Sequence, residues 1–198
     1  AGFTLPILQI LSEGKHLSHR PIRALILTPT RELAAQILAN IKEYSEFVDL
    51  RSTVIFGGVN QNPQVAQLRQ GVDILVATPG RLVDLIKRGA INIRNIKYLV
   101  LDEADEMVSA LKIDLDLIIK DIPKSRRTLL FTATMPGAIK QLVQNYMSKH
   151  VVHIEADMET VGHQGIDHQY VVVEPIEKLE VLLHSLPSQP VMQDCHLI

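Results

Sequence analysis

The chain has 198 residues, of which 46% are hydrophobic and 21% charged, a composition that fits a globular protein and excludes disorder along the whole length. Its single cysteine, Cys195, excludes a disulfide scaffold, and no apolar stretch approaches the roughly 18 residues that cross a bilayer, so we expect a cytoplasmic protein without membrane contact. The net charge is -2, yet residues 1–100 hold 12 Lys and Arg against 7 Asp and Glu. Such asymmetry can mark a surface that faces a polyanion.

Short runs rich in Ile, Leu and Val predict six buried strands. These are Ile22 to Leu27, Ser52 to Phe56, Asp73 to Ala77, Tyr98 to Leu101, Thr128 to Phe131 and Val151 to Ile154. Stretches with apolar residues at three- and four-residue spacing follow Pro29, Pro79 and Pro136 and predict helices. Strands that alternate with helices indicate an α/β fold, a parallel β-sheet with helices on both faces.

The three prolines fall where a strand ends and a helix is expected to begin. Proline is tolerated in a first helical turn because its missing N–H would have no partner there. The free N–H groups of a helix start also favour an anion, although a good helix start alone would explain the same residues. The pattern breaks at Asp157 to Gly165, a polar, glycine-containing stretch. We therefore predict a first domain over residues 1–157, a linker at 158–166 and the start of a second domain at 167–198.

The strongest chemical feature is Asp102-Glu103-Ala104-Asp105, directly after a predicted strand. Carboxylates at the C-terminal end of a parallel strand lie at the edge where α/β proteins bind ligands. Asp102 can face a hydrated Mg²⁺ ion, and Glu103 can orient or deprotonate a water molecule, which together suit nucleotide hydrolysis. The alternative is an acidic helix start, which the helix dipole favours.

This motif stands in an ordered set that resembles the first RecA-like domain of DEAD-box ATP-dependent RNA helicases. Pro29-Thr30-Arg31-Glu32-Leu33-Ala34-Ala35-Gln36 resembles the PTRELAxQ motif of the family, and Gly57-Gly58 resembles its GG motif. Thr78-Pro79-Gly80-Arg81 resembles TPGR, and Thr132-Ala133-Thr134 stands in place of SAT. The resemblance covers residues 1 to about 160, and the tail from Ile166 resembles the entry into the second RecA-like domain.

The resemblance implies that the first-half motifs bind single-stranded or duplex RNA through its sugar-phosphate backbone. The RNA-binding candidates are Pro29, Thr30, Arg31, Glu32, Gly57, Gly58, Thr78, Pro79, Gly80 and Arg81. Arginine supplies forked donors for phosphate, threonine supplies a hydroxyl, and glycine lets a backbone approach closely. Such contacts hold a strand without reading its bases. Taken singly, Gly57-Gly58 reads as a plain turn and each arginine as a solvated surface residue.

The resemblance further implies ATP and Mg²⁺ as cofactors and a second RecA-like domain of the same protein as a partner. Asp102, Glu103 and Asp105 would be catalytic, with Mg²⁺ held through water by Asp102 and Glu103. Thr132, Ala133 and Thr134 would couple hydrolysis to strand separation, because the threonine hydroxyls can reach Asp102 or Asp105. The alternative for both threonines is β-propensity.

A phosphate-binding loop, G-x-x-x-x-G-K-[ST], is not found in the sequence: the sole Gly-Lys pair, Gly14-Lys15, has Gln9 five residues earlier and His16 after it. We expect a fold that lacks the strand of this loop, a fragment less stable than a complete domain, and no ATP hydrolysis by this chain alone. Two other functions stay open. One is a non-catalytic module that binds RNA or a partner, and the other is a related DNA helicase or translocase.

Overall fold

The computed structural model describes residues 2–14, 19–148 and 150–155, together with residues 173–174, 177–178 and 180–181. Five short strands form one parallel sheet: β1 (Ala24–Leu27), β2 (Ser52–Ile55), β3 (Ile74–Ala77), β4 (Tyr98–Leu101) and β5 (Arg127–Leu130). Six helices accompany them in the described part: α1 (Thr4–Glu13), α2 (Arg31–Tyr44), α3 (Asn62–Arg69), α4 (Pro79–Lys87), α5 (Ala104–Asp121) and α6 (Gly137–Tyr146).

The strand order is β2-β3-β1-β4-β5, with every neighbouring pair parallel. This confirms the predicted α/β fold. In the described residues β5 pairs with β4 alone, and its side chains are half-buried or exposed, whereas β1 and β3 are buried throughout. The central strands are covered on both faces, which explains why their sequences are continuously apolar rather than alternating.

The two faces of the sheet belong to two separate apolar cores. Leu25 and Leu27 of β1 belong to a core with α4, α5 and α6, whereas Ala24 and Ile26 belong to a core with α1 and α2. Successive side chains of a strand point to opposite faces, so one four-residue strand supplies both cores. The strand ends are thereby held rigidly, and the loops that leave them start from defined positions.

A buried ionic network that the sequence analysis missed ties the N-terminal ends of the strands together. Asp73 is only 3% exposed and binds Arg23, 5% exposed, with 2.6 Å between Oδ1 and Nη2. Its other oxygen accepts hydrogen bonds from Arg20 Nη1 and from the backbone N–H of Arg51, both at 2.9 Å. Arg23 also donates to the Leu11 carbonyl at the end of α1. One carboxylate thus links β3 to the segments that enter β1 and β2.

One predicted strand is absent, the three prolines stand at the predicted helix starts but not all in the first turn, and three helices were missed. Residues 151–155 form no strand, and Val152 and Ile154 are 82% and 86% exposed, because no described strand pairs with them. Of the three prolines only Pro79 stands in a first helical turn, whereas Pro29 precedes the N-cap of α2 and Pro136 is itself the N-cap of α6. Helices α1, α3 and α5 were not predicted, since their apolar spacing is less regular.

The chain divides into two compact units, residues 1–151 and residues 152–198. Within the second unit, Lys178, Glu180 and Val181 are helical. The proposed linker at 158–166, most of the second-domain segment predicted at 167–198, and Cys195 lie outside the described residues. The domain boundaries therefore stay predictions.

Candidate RNA- and nucleotide-binding edge

The sheet topology gathers the motif loops at one edge, where the parallel strands end. The segments that follow β2, β3 and β1 carry Gly57-Gly58, Thr78-Arg81 and Pro29-Glu32, and these three strands are direct neighbours. Asp102-Asp105 follows β4, and Thr132-Thr134 follows β5, the next strand along the sheet. Motifs that are scattered along the chain thus form two adjacent groups, one rich in glycine and arginine and one rich in carboxylates and hydroxyls.

Arg31, the first residue of α2, lies against the glycine segment. Its guanidinium carbon is 5.1 Å from the centroid of the Phe56 ring, a cation–π contact. A Cβ atom added to Gly58 would lie 2.7 Å from Arg31 Nη1, so the guanidinium would have to move to make room for it. Gly58 also has a φ of +76°, a conformation that glycine adopts without strain. Arg31 is therefore packed across the backbone at Gly58 while its side chain stays exposed.

Arg81 approaches the same segment from α4. Its Nη2 donates to the carbonyl of Val59 at 3.0 Å, and its Nη1 is buried without a partner among the described residues. Thr78 is the buried N-cap of α4, and Gly80 is exposed in the first turn, where an added Cβ would lie 3.6 Å from Asp114 Oδ2. The segment from Gly57 to Val59 is thus bracketed by two arginines that come from helices on opposite faces of the sheet.

The other members of the first motif act at the backbone of α2. Thr30 is the N-cap, and its Oγ1 accepts a hydrogen bond from the Leu33 N–H at 3.3 Å. Glu32 lies exposed in the first turn, where the helix dipole stabilises a negative charge. Pro29 is half-buried between β1 and the cap. At Gly57 an added Cβ would meet no atom within 4 Å, so its backbone is accessible.

In the acidic group, Asp102 and Glu103 have different environments. Burial raises the pKa of the Asp102 carboxyl, although the Glu103 N–H donates to it and lowers the pKa in part. Glu103 is exposed and takes left-handed backbone angles, φ 51° and ψ 52°, at the N-cap of α5. This conformation costs a non-glycine residue roughly 1–2 kcal/mol, and it lies in the two-residue connection, Asp102 and Glu103, that leads from β4 into α5. The sequence contained no signal for it.

Asp105 and Thr134 join the two segments of the acidic group. Asp105 Oδ2 accepts hydrogen bonds from the Thr134 hydroxyl at 2.7 Å and from the Thr134 N–H at 3.0 Å. The Thr134 hydroxyl bond is the main reason why the pKa of the Asp105 carboxyl is lowered. Thr132 instead donates to the carbonyl of Thr134 at 2.7 Å, and Ala133 between them is exposed. Of the two carboxylates predicted to meet the threonines, the structure thus selects Asp105.

Two residues at this edge were missed by the sequence analysis. Phe56 supports Arg31 through its ring, and Gln64 of α3 donates to the Phe56 carbonyl at 3.2 Å. Neither belongs to a motif that the sequence singled out. Phe56 directly precedes Gly57-Gly58 and Gln64 lies six residues after Gly58, and neither position in the sequence identifies a contact.

Comparison with known proteins identifies the class. Residues 1–142 match the sequence profile of the DEAD/DEAH box helicase family. The chain therefore belongs to the DEAD/DEAH box helicase family, and its fold is the RecA-like domain of DEAD-box proteins.

Individual relatives agree with this assignment. The chain is 44% identical over 144 residues to the ATP-dependent RNA helicase DBP3 of Lodderomyces elongisporus, covering 72% of this chain and 26% of that protein. It is 36% identical over 192 residues to the DEAD-box ATP-dependent RNA helicase CshA of Streptococcus pneumoniae, covering 96% and 36%. A crystal structure of a DEAD box protein from Methanococcus jannaschii superposes with a TM-score of 0.71 at 38% identity, covering 92% of this chain and 47% of that one.

The chain spans about a quarter to a third of the length of the two curated relatives. Among the helices of the described residues, none has the length and apolar character that a bilayer crossing requires.

Proposed function

We propose that this chain is the RNA-facing part of an ATP-dependent RNA helicase. The parent protein would bind single-stranded or duplex RNA through the sugar-phosphate backbone and hydrolyse Mg-ATP to unwind short duplexes, together with a second RecA-like domain. One observation carries the proposal. Arg31 and Arg81 flank the backbone of Gly57 to Val59, so two forked cations and an accessible glycine backbone stand side by side.

The chemistry of this group suits phosphate better than bases. Arg31 is exposed, Arg81 Nη1 lacks a partner among the described residues, and Gly57 leaves its backbone open. Guanidinium and backbone N–H donors hold phosphate oxygens, and contacts to the phosphate backbone position a strand without carrying sequence information. We therefore propose RNA binding that is independent of sequence.

The acidic group would serve the nucleotide. ATP-dependent relatives support ATP use, and Asp102 and Glu103 are the residues that would hold Mg²⁺ through water. Magnesium commonly takes one or two carboxylates and fills its remaining positions with water and substrate phosphates. Among the described residues no cluster of three or more His, Cys, Asp or Glu could hold a metal. Asp102 is half-buried and Glu103 is exposed at the end of β4, so their carboxylates could hold a hydrated, nucleotide-bound ion, which would neutralise charge developing on the phosphates.

Within this arrangement the chain's own residues have distinct roles. Glu103 would orient or deprotonate the attacking water, since it is exposed at the strand end. Asp105 and Thr134 would transmit a change at the nucleotide to the segment after β5, because their two hydrogen bonds join both segments. The coupling role of Thr134 depends directly on these two hydrogen bonds to Asp105.

A second candidate, a non-catalytic RNA-binding module, is favoured by one observation: the 198 residues contain no G-x-x-x-x-G-K-[ST] sequence. The sequence thus lacks the loop whose N–H groups and lysine would cradle the β- and γ-phosphates, so we propose that the chain tested by itself binds RNA but does not hydrolyse ATP. RNA-stimulated phosphate release from the purified chain would contradict this. The single cysteine is compatible with a reducing compartment, and we propose a cytoplasmic location.

The test is a titration of labelled single-stranded RNA with the 198-residue chain at several salt concentrations. If the arginine group binds phosphates, the logarithm of the affinity falls with the logarithm of salt, with a slope of about -0.7 per neutralised phosphate. Arg31→Met and Arg81→Met should weaken binding, whereas the control Arg88→Met, on the exposed end of α4, should not. A flat salt response would contradict the proposed edge. Equal competition by DNA oligonucleotides would favour the DNA-translocase alternative.

A further inference from the structure

Gln64 is an unusual side chain at the edge of the sheet. It lies on α3, is 9% exposed, and its Nε2 donates to the Phe56 carbonyl at 3.2 Å. The Ile55 carbonyl accepts from the N–H of Thr78, the residue directly after the neighbouring strand β3. Because consecutive carbonyls alternate in direction, the Phe56 carbonyl points away from β3, toward the open side of the edge strand β2. Gln64 therefore provides the partner that a further strand would otherwise supply.

The other end of the same amide is not satisfied. Gln64 Oε1 is buried and has no hydrogen-bond partner among the described residues. An unpaired buried acceptor destabilises a folded protein. A methionine has a similar length and would fill the same space without this oxygen. Packing of α3 alone thus gives no reason for an amide here, and its one contact, the Phe56 carbonyl, is the feature that distinguishes it.

That contact continues to Arg31. Phe56 holds the Arg31 guanidinium over its ring at 5.1 Å, and the same guanidinium lies against the backbone of Gly58. A residue that fixes the Phe56 backbone therefore fixes both the surface under Arg31 and the start of the glycine segment. Gln64 touches neither proposed phosphate-binding group directly, so its effect has to pass through Phe56.

We propose that Gln64 is a positioning residue for RNA binding: by holding the Phe56 carbonyl, it fixes the ring and the glycine segment on which Arg31 rests. This inference rests on the proposed function, since it concerns the RNA affinity of the same edge. It assigns a role to α3, a helix that carries none of the motifs. Loss of the amide donor lets the segment at Gly57 and Gly58 move, and Arg31 then loses its defined position over the phosphate path.

The test compares Gln64→Met with Gln67→Met in the 198-residue chain. Gln67 is on the same helix one turn later, is exposed, and accepts a hydrogen bond from Thr53 instead of holding the glycine segment. Three measurements are made on each variant: affinity for a single-stranded RNA oligonucleotide at several salt concentrations, hydrogen–deuterium exchange of the peptide at residues 56–60, and thermal unfolding.

We expect Gln64→Met to weaken RNA binding about three- to tenfold, the effect of losing one ordinary hydrogen bond. Its salt slope should become shallower by about 0.7, the value for one lost phosphate contact. Exchange at 56–60 should rise, while the melting temperature stays close to wild type, because the variant loses a bond but also removes the unpaired Oε1. Gln67→Met should match wild type in RNA affinity and in exchange at 56–60.

Unchanged RNA affinity and exchange in Gln64→Met would overturn the inference and leave the proposed function intact. Equal losses of affinity in both variants, in step with melting temperature, would also overturn it, because the role would then be structural. If the wild-type chain fails to bind RNA, the proposed function fails and the RNA role of Gln64 fails with it. In that case the exchange data still report whether Gln64 holds the glycine segment.

Discussion

The Thr134 hydroxyl donates to Asp105 Oδ2 at 2.7 Å, and this bond joins the loop after β5 to the first turn of α5. The residues are 29 positions apart, and the Thr134 N–H donates to the same oxygen. A second link runs nearby, since the Ala104 N–H donates to the Phe131 carbonyl at 3.0 Å. The end of β5 is thus coupled to the acidic motif through both backbone and side chain.

Replacement of Asp105 by Ala should lower the free energy of unfolding by about 1 kcal/mol, because two hydrogen bonds to a charged acceptor are lost while solvent screens the charge. The pKa of Asp105 is lowered in the folded chain, so its contribution is present above the unfolded pKa of about 4 and is lost as pH falls through the lower, folded value. Thermal unfolding between pH 2 and pH 7 checks both effects.

Glu106→Gln, on the same helix turn, is the control. If the difference in stability between wild type and Asp105→Ala were as large at pH 2 as at pH 7, this explanation would be contradicted.

The two adjacent glycines should respond differently to alanine. Gly58→Ala should lower stability by roughly 1 kcal/mol or more, because φ is +76°, and the new Cβ, 2.7 Å from Arg31 Nη1, would also displace the flexible end of that side chain. Gly57→Ala should leave the melting temperature nearly unchanged, since a Cβ there has nothing within 4 Å. If the glycine backbone faces RNA, both substitutions should weaken RNA binding. Denaturant unfolding and RNA titration of the two variants separate these effects, and equal destabilisation by both would disagree with the geometry.

Loss of the buried carboxylate at the opposite edge should be costly. Asp73→Asn leaves the buried Arg23 without its charged partner, whereas Arg20 keeps its ion pair with Asp49, and breaking one side of a buried ion pair typically costs about 3–5 kcal/mol. The matched control is Asp84→Asn, whose partner Arg88 is mostly exposed and which should change stability by at most about 1 kcal/mol. Urea unfolding of both variants provides the measurement. Similar midpoints for the two variants would show that the network at Asp73 is not a major stabilising element.

Asp102→Asn should increase stability as the pH rises above the unfolded pKa of about 4 and through the raised, folded pKa of Asp102. Burial raises the pKa of Asp102, so the folded state binds the proton more tightly than the unfolded state does. Stability contributed by this group is therefore present below the unfolded pKa of about 4 and is lost as pH rises through the raised, folded value. Asparagine does not ionise and avoids that loss, which melting curves from pH 4 to pH 8 would reveal.

Glu103→Gln, at an exposed position, should not reproduce this gain in stability. A decrease in stability at pH 8 for Asp102→Asn would mean that burial does not dominate at this site.

The sequence by itself determined the fold class, five of the strands and the placement of every motif at a strand end. Hydrophobic periodicity and helix-start residues are local signals, and the carboxyl ends of parallel strands necessarily share one edge. The same reasoning failed at Val151 to Ile154, because an apolar run becomes a strand only where a neighbour is available to pair with it. It also could not decide between Asp102 and Asp105 as the partner of the threonines.

Only the tertiary structure decided which loops touch. The order β2-β3-β1-β4-β5 brings Arg31, Gly58 and Arg81 together, although these residues lie far apart in the chain. Strand order, the left-handed Glu103 and the support of Phe56 by Gln64 depend on contacts between distant segments. Local propensity does not encode such contacts, since their free energy exists only once the sheet has assembled and both partners are in place.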